Sequence, residues 1–426
     1  MLDEGMTIAA AVPAPVPVPR ARVLWLALLA AWLGWMFDGM EMGLYSLIIH
    51  PALKDLLRTE DTKIIGPYVG ITLAMFLVGM SVGGVVFGRL GDRIGRVRSM
   101  IITVMIYAVF TGLSGLTRNW QQLAVCRFLG AVGLGGEWGL GVALVMETWP
   151  NASRPVLAGL IGGAANVGFI AAAGVGYLIN ALGLSWRWVL IAGFTPAVLT
   201  LIVLLGVKEP ERWVKTHRQG SRSSLWDLFR PPLLGRTLIA SALAAVAVLG
   251  MWGAFQAWLP SWVNVLVGGD ASYERTTTLL CMAVGATIGA FLGGVAAGWL
   301  GRRASYILFC LGSLASVGIL YLGCTQYGPQ LLFSAAIAGV FVTAFFGWLP
   351  LYLPELFPTR LRATGEGLCF NIGRVVSAGG VLVTGQMVSF FGGDYAKASA
   401  AMGLIFLLGL ILIWFAPETK GCDLPE

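Results

Sequence analysis

Charge is what this 426-residue sequence has least of. Only 12% of its residues are Asp, Glu, Lys or Arg, about half the roughly 25% of a soluble domain. With 57% hydrophobic residues and a mean hydropathy of +0.81, the chain is excluded from the class of about three soluble domains that its length suggests. Histidine is nearly missing too. The only two, His50 and His217, are expected in loops outside the apolar spans, so any proton carried within those spans is expected to ride on carboxylates. Six cysteines show no CxxC pairing, and five fall in apolar spans, so no disulfide or metal framework is indicated. The acids and arginines are spread over many spans, which excludes a compact enzyme constellation. The net charge of +7 sits mainly in short loops between spans, the pattern of membrane topology and not of nucleic-acid binding.

What is there is a series of apolar runs. A spanning helix needs roughly 20 mainly apolar residues, and charged and Pro/Gly/Asn punctuation divides the chain into twelve such spans: 22–49, 67–88, 97–117, 120–146, 155–182, 186–207, 237–267, 276–300, 303–324, 329–352, 363–391 and 395–416. The expected fold class is therefore an all-α integral membrane protein. With the N-terminus inside, 19 of the 28 Lys and Arg lie in cytoplasmic segments and 7 in outer loops, which predicts both termini inside. The Pro-rich start, 1–21, reads as a disordered cytoplasmic tail. The basic loop 208–236 reads as a cytoplasmic linker between six-helix bundles at 22–207 and 237–416, with a short tail at 417–426.

The two halves repeat. ETWPNASRPVLAGL (147–160) and ELFPTRLRATGEGL (355–368) share Glu, Pro, Arg and Gly at matching positions, 208 residues apart. GRLGDRIGR (88–96) is echoed by GWLGRR (298–303) at an offset of 210, and PER (210–212) by PET (417–419) at 207. Such a parallel duplication places a substrate site near the midplane between the halves.

GRLGDRIGR resembles the loop between spans two and three of the major facilitator superfamily. RFLGAVGLGGEWG (127–139), PELFPTRLRATGEG (354–367) and PETKGCDLPE (417–426) resemble its sugar-porter-like branches. The GGEWG and ETWP stretches are similar to the metabolite:proton and sialic acid:proton symporters. The acid-bearing first span and NIGR are similar to the aromatic acid:proton symporters and animal organic-ion transporters. The resemblance implies a monomeric secondary transporter that works by alternating access and uses no cofactor beyond the coupling proton.

Asp38 and Glu41, in MFDGMEMGLY, interrupt the first span, where each buried carboxylate costs several kcal/mol. Three helical residues turn 300°, so both lie on one face about 60° apart. Simple hydration near the interface is the alternative. Arg127 in span four lies at a depth similar to Asp38, roughly 10 Å from the outer end, and needs a carboxylate partner. Asp38 is the expected one. The resemblance to proton-driven sugar porters, in which an Asp of helix one faces an Arg of helix four, implies the same pairing. An Arg in contact favours the ionised Asp, and separation favours its protonation.

Glu137, amid the glycines of GLGGEWG, is expected to line a cavity or hold a second proton, with helix packing as the alternative. Arg374 lies about 16 Å into span eleven. Its counterpart in the first half is Asn166, so its charge is no part of the duplicated scaffold. A guanidinium fork there suits a carboxylate, and the resemblance to organic-anion transporters implies that use; pairing with a buried acid is the alternative. Asn371 shares its face. Gln256, Asn166, Trp252 and Trp348 are candidate substrate-binding residues, with packing as the alternative for the aromatics, and Pro260 and Pro350 candidate kinks.

The remaining motifs read as cytoplasmic gating. Gly88 and Gly95 are expected to permit tight turns, and Asp92 to cap and pair. Arg93 and Arg96 are placed to meet Glu147. Arg154 repeats as Arg362, and Glu355 is expected to meet Arg302 or Arg362. The second copy lacks the Asp, so the two latches need not be equal. Together these residues predict proton-coupled uptake of a small organic anion across the cell membrane. Symport of neutral sugars or polyols and efflux of drug-like compounds are the alternatives.

Overall fold

The computed structural model describes residues 21–218, 224–268 and 271–426. The expected tail lies outside them except for Ala21, and so does part of the linker, 219–223. All regular structure among the described residues is helical: α1 (Ala21–Leu57), α2 (Thr62–Ile94), α3 (Arg96–Ser114), α4 (Trp120–Thr148), α5 (Arg154–Leu182), α6 (Trp186–Ala192), α7 (Phe194–Leu205), α8 (Glu211–Arg218), α9 (Leu233–Leu249), α10 (Leu259–Val267), α11 (Ser272–Leu300), α12 (Arg302–Gly323), α13 (Pro329–Leu356), α14 (Arg362–Phe390), α15 (Tyr395–Gly403) and α16 (Ile405–Leu412).

Among the described residues, eleven helical stretches are long and apolar enough to cross a membrane. The remaining expected span, the sixth at 186–207, is interrupted at Gly193 into α6 and α7, of 7 and 12 residues. Span seven is interrupted as well. Between α9 and α10 the chain widens into a π-helical stretch, Gly250–Gln256, just before Pro260, the local irregularity that a missing proline N–H invites. Pro350, by contrast, lies within an uninterrupted α13.

The halves meet where α5 packs along α11 and α2 along α14. Small residues allow it. A Cβ on Gly159 would stand 2.4 Å from the Phe291 carbonyl oxygen, and one on Gly88 would stand 2.6 Å from that of Ala363. Gly88 therefore serves close helix approach inside α2, not the expected turn. Gly95 does make its turn, with φ 115°, and Gly301 repeats it with φ 96°.

These glycines also correct the register of the repeat. Gly95–Arg96 and Gly301–Arg302 open α3 and α12 in the same way, an offset of 206 and not 210. Their helix starts are capped by carboxylates. Glu209 accepts from the backbone N–H of Arg96, Val97 and Arg98 at 2.7, 3.2 and 3.1 Å. Glu418 accepts from Arg302 and Arg303, both at 3.0 Å. The acid equivalent to Glu418 is thus Glu209, not Glu211 of PER. Both caps place negative charge at a helix N-terminus, where it is stabilising.

Burial pushes the Glu418 carboxyl up, but hydrogen bonds from the Arg302, Arg303 and Lys420 backbones outweigh it and hold the carboxyl below the usual glutamate range. A group held low contributes stability above its unfolded value that is lost as pH falls through its folded value. The melting-temperature gap between wild type and Glu418→Gln should therefore be full near about pH 6 and shrink towards about pH 3. A gap that does not change with pH would contradict the cap.

Candidate functional site

The side chains divide into a latch at one end of the bundle and a charged centre midway along it. At the latch, the Arg96 guanidinium is fully buried. Its Nε and Nη2 donate to the two Glu147 oxygens at 3.1 and 2.8 Å, and its Nη1 donates to the Gly91 carbonyl at 2.8 Å. Arg302 repeats this unit, donating to both oxygens of Glu355 at 2.9 and 2.5 Å and to the Ala297 carbonyl at 3.1 Å. Two parallel N–H···O bonds make each pair a fork, the strongest form of ion pair.

Further bonds cross between the halves. Arg362 Nη1 donates to Glu147 at 2.8 Å, and Arg96 Nη2 donates to the Thr359 carbonyl at 2.7 Å. Asp92 caps the start of α14, accepting from the Thr364 N–H at 2.9 Å and its hydroxyl at 2.5 Å. Arg362 therefore meets Glu147, while Arg302 takes Glu355. The mirror bond is missing: Arg154 donates Nε to the Met146 carbonyl at 3.0 Å, as Arg362 does to Pro354 at 3.2 Å, but its Nη2 has no partner among the described residues. Arg93 is exposed, outside the role expected for it. The latch is thus one-sided, carried by the first half's carboxylates. The C-terminal tail adds to it, since the Pro425 carbonyl accepts from Arg362 at 2.6 Å.

At the centre, the expected Asp38–Arg127 pair is not formed. Arg127 pairs with Glu41, whose Oε1 also accepts from Thr111 at 3.1 Å. Its guanidinium lies 4.5 Å from the Tyr45 ring centroid and 5.0 Å from that of Phe76, a cation–π setting that suits a desolvated arginine. Asp38 instead meets Arg374 at 3.5 Å, across the halves. Sequence depth could not separate Asp38 from Glu41, because one helical turn moves a side chain by only about 5 Å.

Arg374 is 9% exposed and Asp38 1%. Asn371 accepts from Arg374 at 3.3 Å and donates to the Gly367 carbonyl at 2.8 Å. Aromatic faces enclose the pair: the Phe370 centroid is 4.8 Å and that of Trp35 5.8 Å from the guanidinium carbon, and Trp138 stacks on Phe370 at 4.0 Å. Asp38 Oδ1 has no hydrogen-bond partner among the described residues. Glu137 is buried close to Gly34, with both carboxylate oxygens likewise unpartnered.

Other sequence candidates lie elsewhere. Trp348 is fully buried and donates to the Arg302 carbonyl at 2.9 Å, so it packs behind the latch. Trp252 is partly buried against a core cluster that spans both halves. Gln256 ends the π-helical stretch, half-buried. Asn166 is buried on α5, near where Ala165 meets Gly39. Sequence reading missed Trp35, Trp138 and Phe370, since aromatics are common in any span. It also missed Glu366, a buried acid in span eleven hidden within a motif already assigned to gating.

This geometry can be set beside known proteins. The chain is 30% identical to a putative metabolite transport protein of Haemophilus influenzae, over 93% of this chain and 97% of that one. It is 27% identical to the sialic acid transporter NanX of Escherichia coli, over 94% of each. Among solved structures, the proton:xylose symporter XylE bound to 6-bromo-6-deoxy-D-glucose superposes with a TM-score of 0.79 at 18% identity, covering 95% of this chain and 98% of that one. The family model for the Major Facilitator Superfamily matches residues 24–381. The protein is thus a multi-pass membrane transporter and not an enzyme, and it belongs to the Major Facilitator Superfamily.

Proposed function

We propose that the protein couples uptake of a small organic carboxylate to a proton, with Asp38 and Arg374 as the exchange point. One observation carries this reading: a buried arginine fork, aromatic on its faces, meets Asn371 at 3.3 Å and, as its one ion-pair partner among the described residues, Asp38 at 3.5 Å. A carboxylate is the ligand a guanidinium fork prefers, and Asp38 occupies that position in its absence. An entering substrate anion would take Arg374 and displace Asp38. The freed aspartate, in an apolar site and without its arginine, is the group that takes the proton. One anion and one proton then share the site, so the loaded carrier gains no net charge and can reorient. Once the latch opens, substrate and proton leave together and Asp38 returns to Arg374.

Within this scheme Glu41 and Arg127 are a standing pair beside the exchange point. The latch of Asp92, Arg96, Glu147 and Arg362 closes the cytoplasmic side, as the loop charges predict, in the cell membrane and in a monomer. The sialic acid relative is named for an acid, which supports the substrate class.

The test is uptake into proteoliposomes of a panel of aliphatic and aromatic carboxylates and neutral sugars, with and without an inward proton gradient. Gradient-stimulated uptake of carboxylates is expected. Uptake of neutral sugars with no carboxylate would refute the assignment of Arg374 and favour a sugar symporter.

A further inference from the structure

Glu366 stands one helical turn beyond Arg362 on α14 and is fully buried. Neither of its carboxylate oxygens has a hydrogen-bond donor among the described residues. The charges that act on it are Arg362 on its own helix, Arg96 at the start of α3, Glu147 at the end of α4 and Asp92 at the end of α2. Towards α9 the neighbouring group on its helix is Cys369, whose thiol donates to the Thr237 carbonyl at 3.6 Å and is uncharged.

Those four charges already balance. Two arginines face two carboxylates, and each carboxylate is bound by a guanidinium. An ionised Glu366 would add an uncompensated fifth charge, in a place where it accepts no hydrogen bond. Burying such a group costs several kcal/mol, and a buried carboxyl commonly avoids the cost by taking a proton. The duplicated half makes the same point: at the offset of 208 that relates Arg154 to Arg362, the counterpart of Glu366 is Ala158, also fully buried. The latch architecture needs no acid here.

We infer that Glu366 is a second proton-binding site, set in the latch and separate from the substrate centre, which binds a proton when the latch closes and releases it to the same side when the latch opens. On opening, Arg362 leaves Glu147, water reaches the cluster, and the ionised Glu366 pairs with Arg362 at i,i+4 spacing. The closed latch then takes up one proton, so low pH on the latch side favours closure and high pH favours opening. The inference depends on the latch alone and holds whatever the substrate is.

The test uses the full chain in lipid, with no substrate. Nitroxide labels go at the exposed Arg98→Cys and Arg360→Cys, one on each half, with Cys126, Cys281 and Cys422 replaced. The distance distribution is read from about pH 5.5 to about pH 8.5. For wild type, the closed-to-open ratio should fall by up to tenfold per pH unit across the titration, as release of one proton requires. Glu366→Gln should hold one ratio across the range, and Glu366→Ala, which copies Ala158, should do the same. An equally steep slope in these variants would assign the titration to another group and overturn the inference. So would a wild-type ratio that does not move with pH.

Discussion

Replacing Arg374 with alanine is expected to abolish carboxylate uptake, and replacing it with lysine to raise KM about 100-fold. The fork offers two parallel charge-assisted bonds, each worth roughly 1.5–3 kcal/mol. Lysine keeps the charge but offers a point donor in place of a planar fork, which forfeits about one such bond. A loss of about 3 kcal/mol corresponds to about 100-fold in affinity. Alanine goes further, since it removes the fork and leaves Asp38, 1% exposed, without its partner. Initial uptake rates of the best carboxylate of the panel, in proteoliposomes matched for inserted protein, measure both effects. A lysine variant within about threefold of wild type would mean that binding does not use the fork.

Asp38→Asn separates two activities that share one site. Asparagine leaves a polar group of the same shape near Arg374, so the substrate anion still binds, and binding no longer has to displace a competing carboxylate. What disappears is the group that takes up the proton. Gradient-driven accumulation should therefore fall to the level set by equilibration, while exchange of internal for external substrate continues at a rate comparable to wild type. The Glu41–Arg127 pair does not substitute. Glu41 is already bound by Arg127 and Thr111, and the substrate does not displace that pair.

Sequence reading reached the architecture and the latch more readily than the charged centre, for physical reasons. Spans and repeats are long-range patterns. Arg96–Glu147 and Arg302–Glu355 sit at matching places in duplicated motifs, and both form as paired residues. Glycine offers two meanings in sequence, a turn or a close approach. Gly95 took the first and Gly88 the second, because a positive φ is set only once the helix ends are fixed. The central pairs depended on a choice between Asp38 and Glu41, which one turn of helix separates. Rotation of α1 about its axis decides that choice, and α1 is turned by packing on α5, where Gly39 meets Ala165 and Gly168 meets Met36. No spacing in α1 alone encodes this. Arg374 was legible as a charge absent from the duplicated scaffold, and its partner became visible only when the halves were brought together.

The exchange at Arg374 is tested most directly by counting protons as substrate binds. Calorimetric titration of the purified protein with its best carboxylate, in buffers of different ionisation enthalpy near about pH 7, reports the protons taken up per anion bound. Displacement of Asp38 predicts an uptake approaching one proton in wild type and none in Asp38→Asn, with binding retained in both. Uptake that is absent from wild type, or unchanged in Asp38→Asn, would contradict the coupling of substrate to proton through this pair.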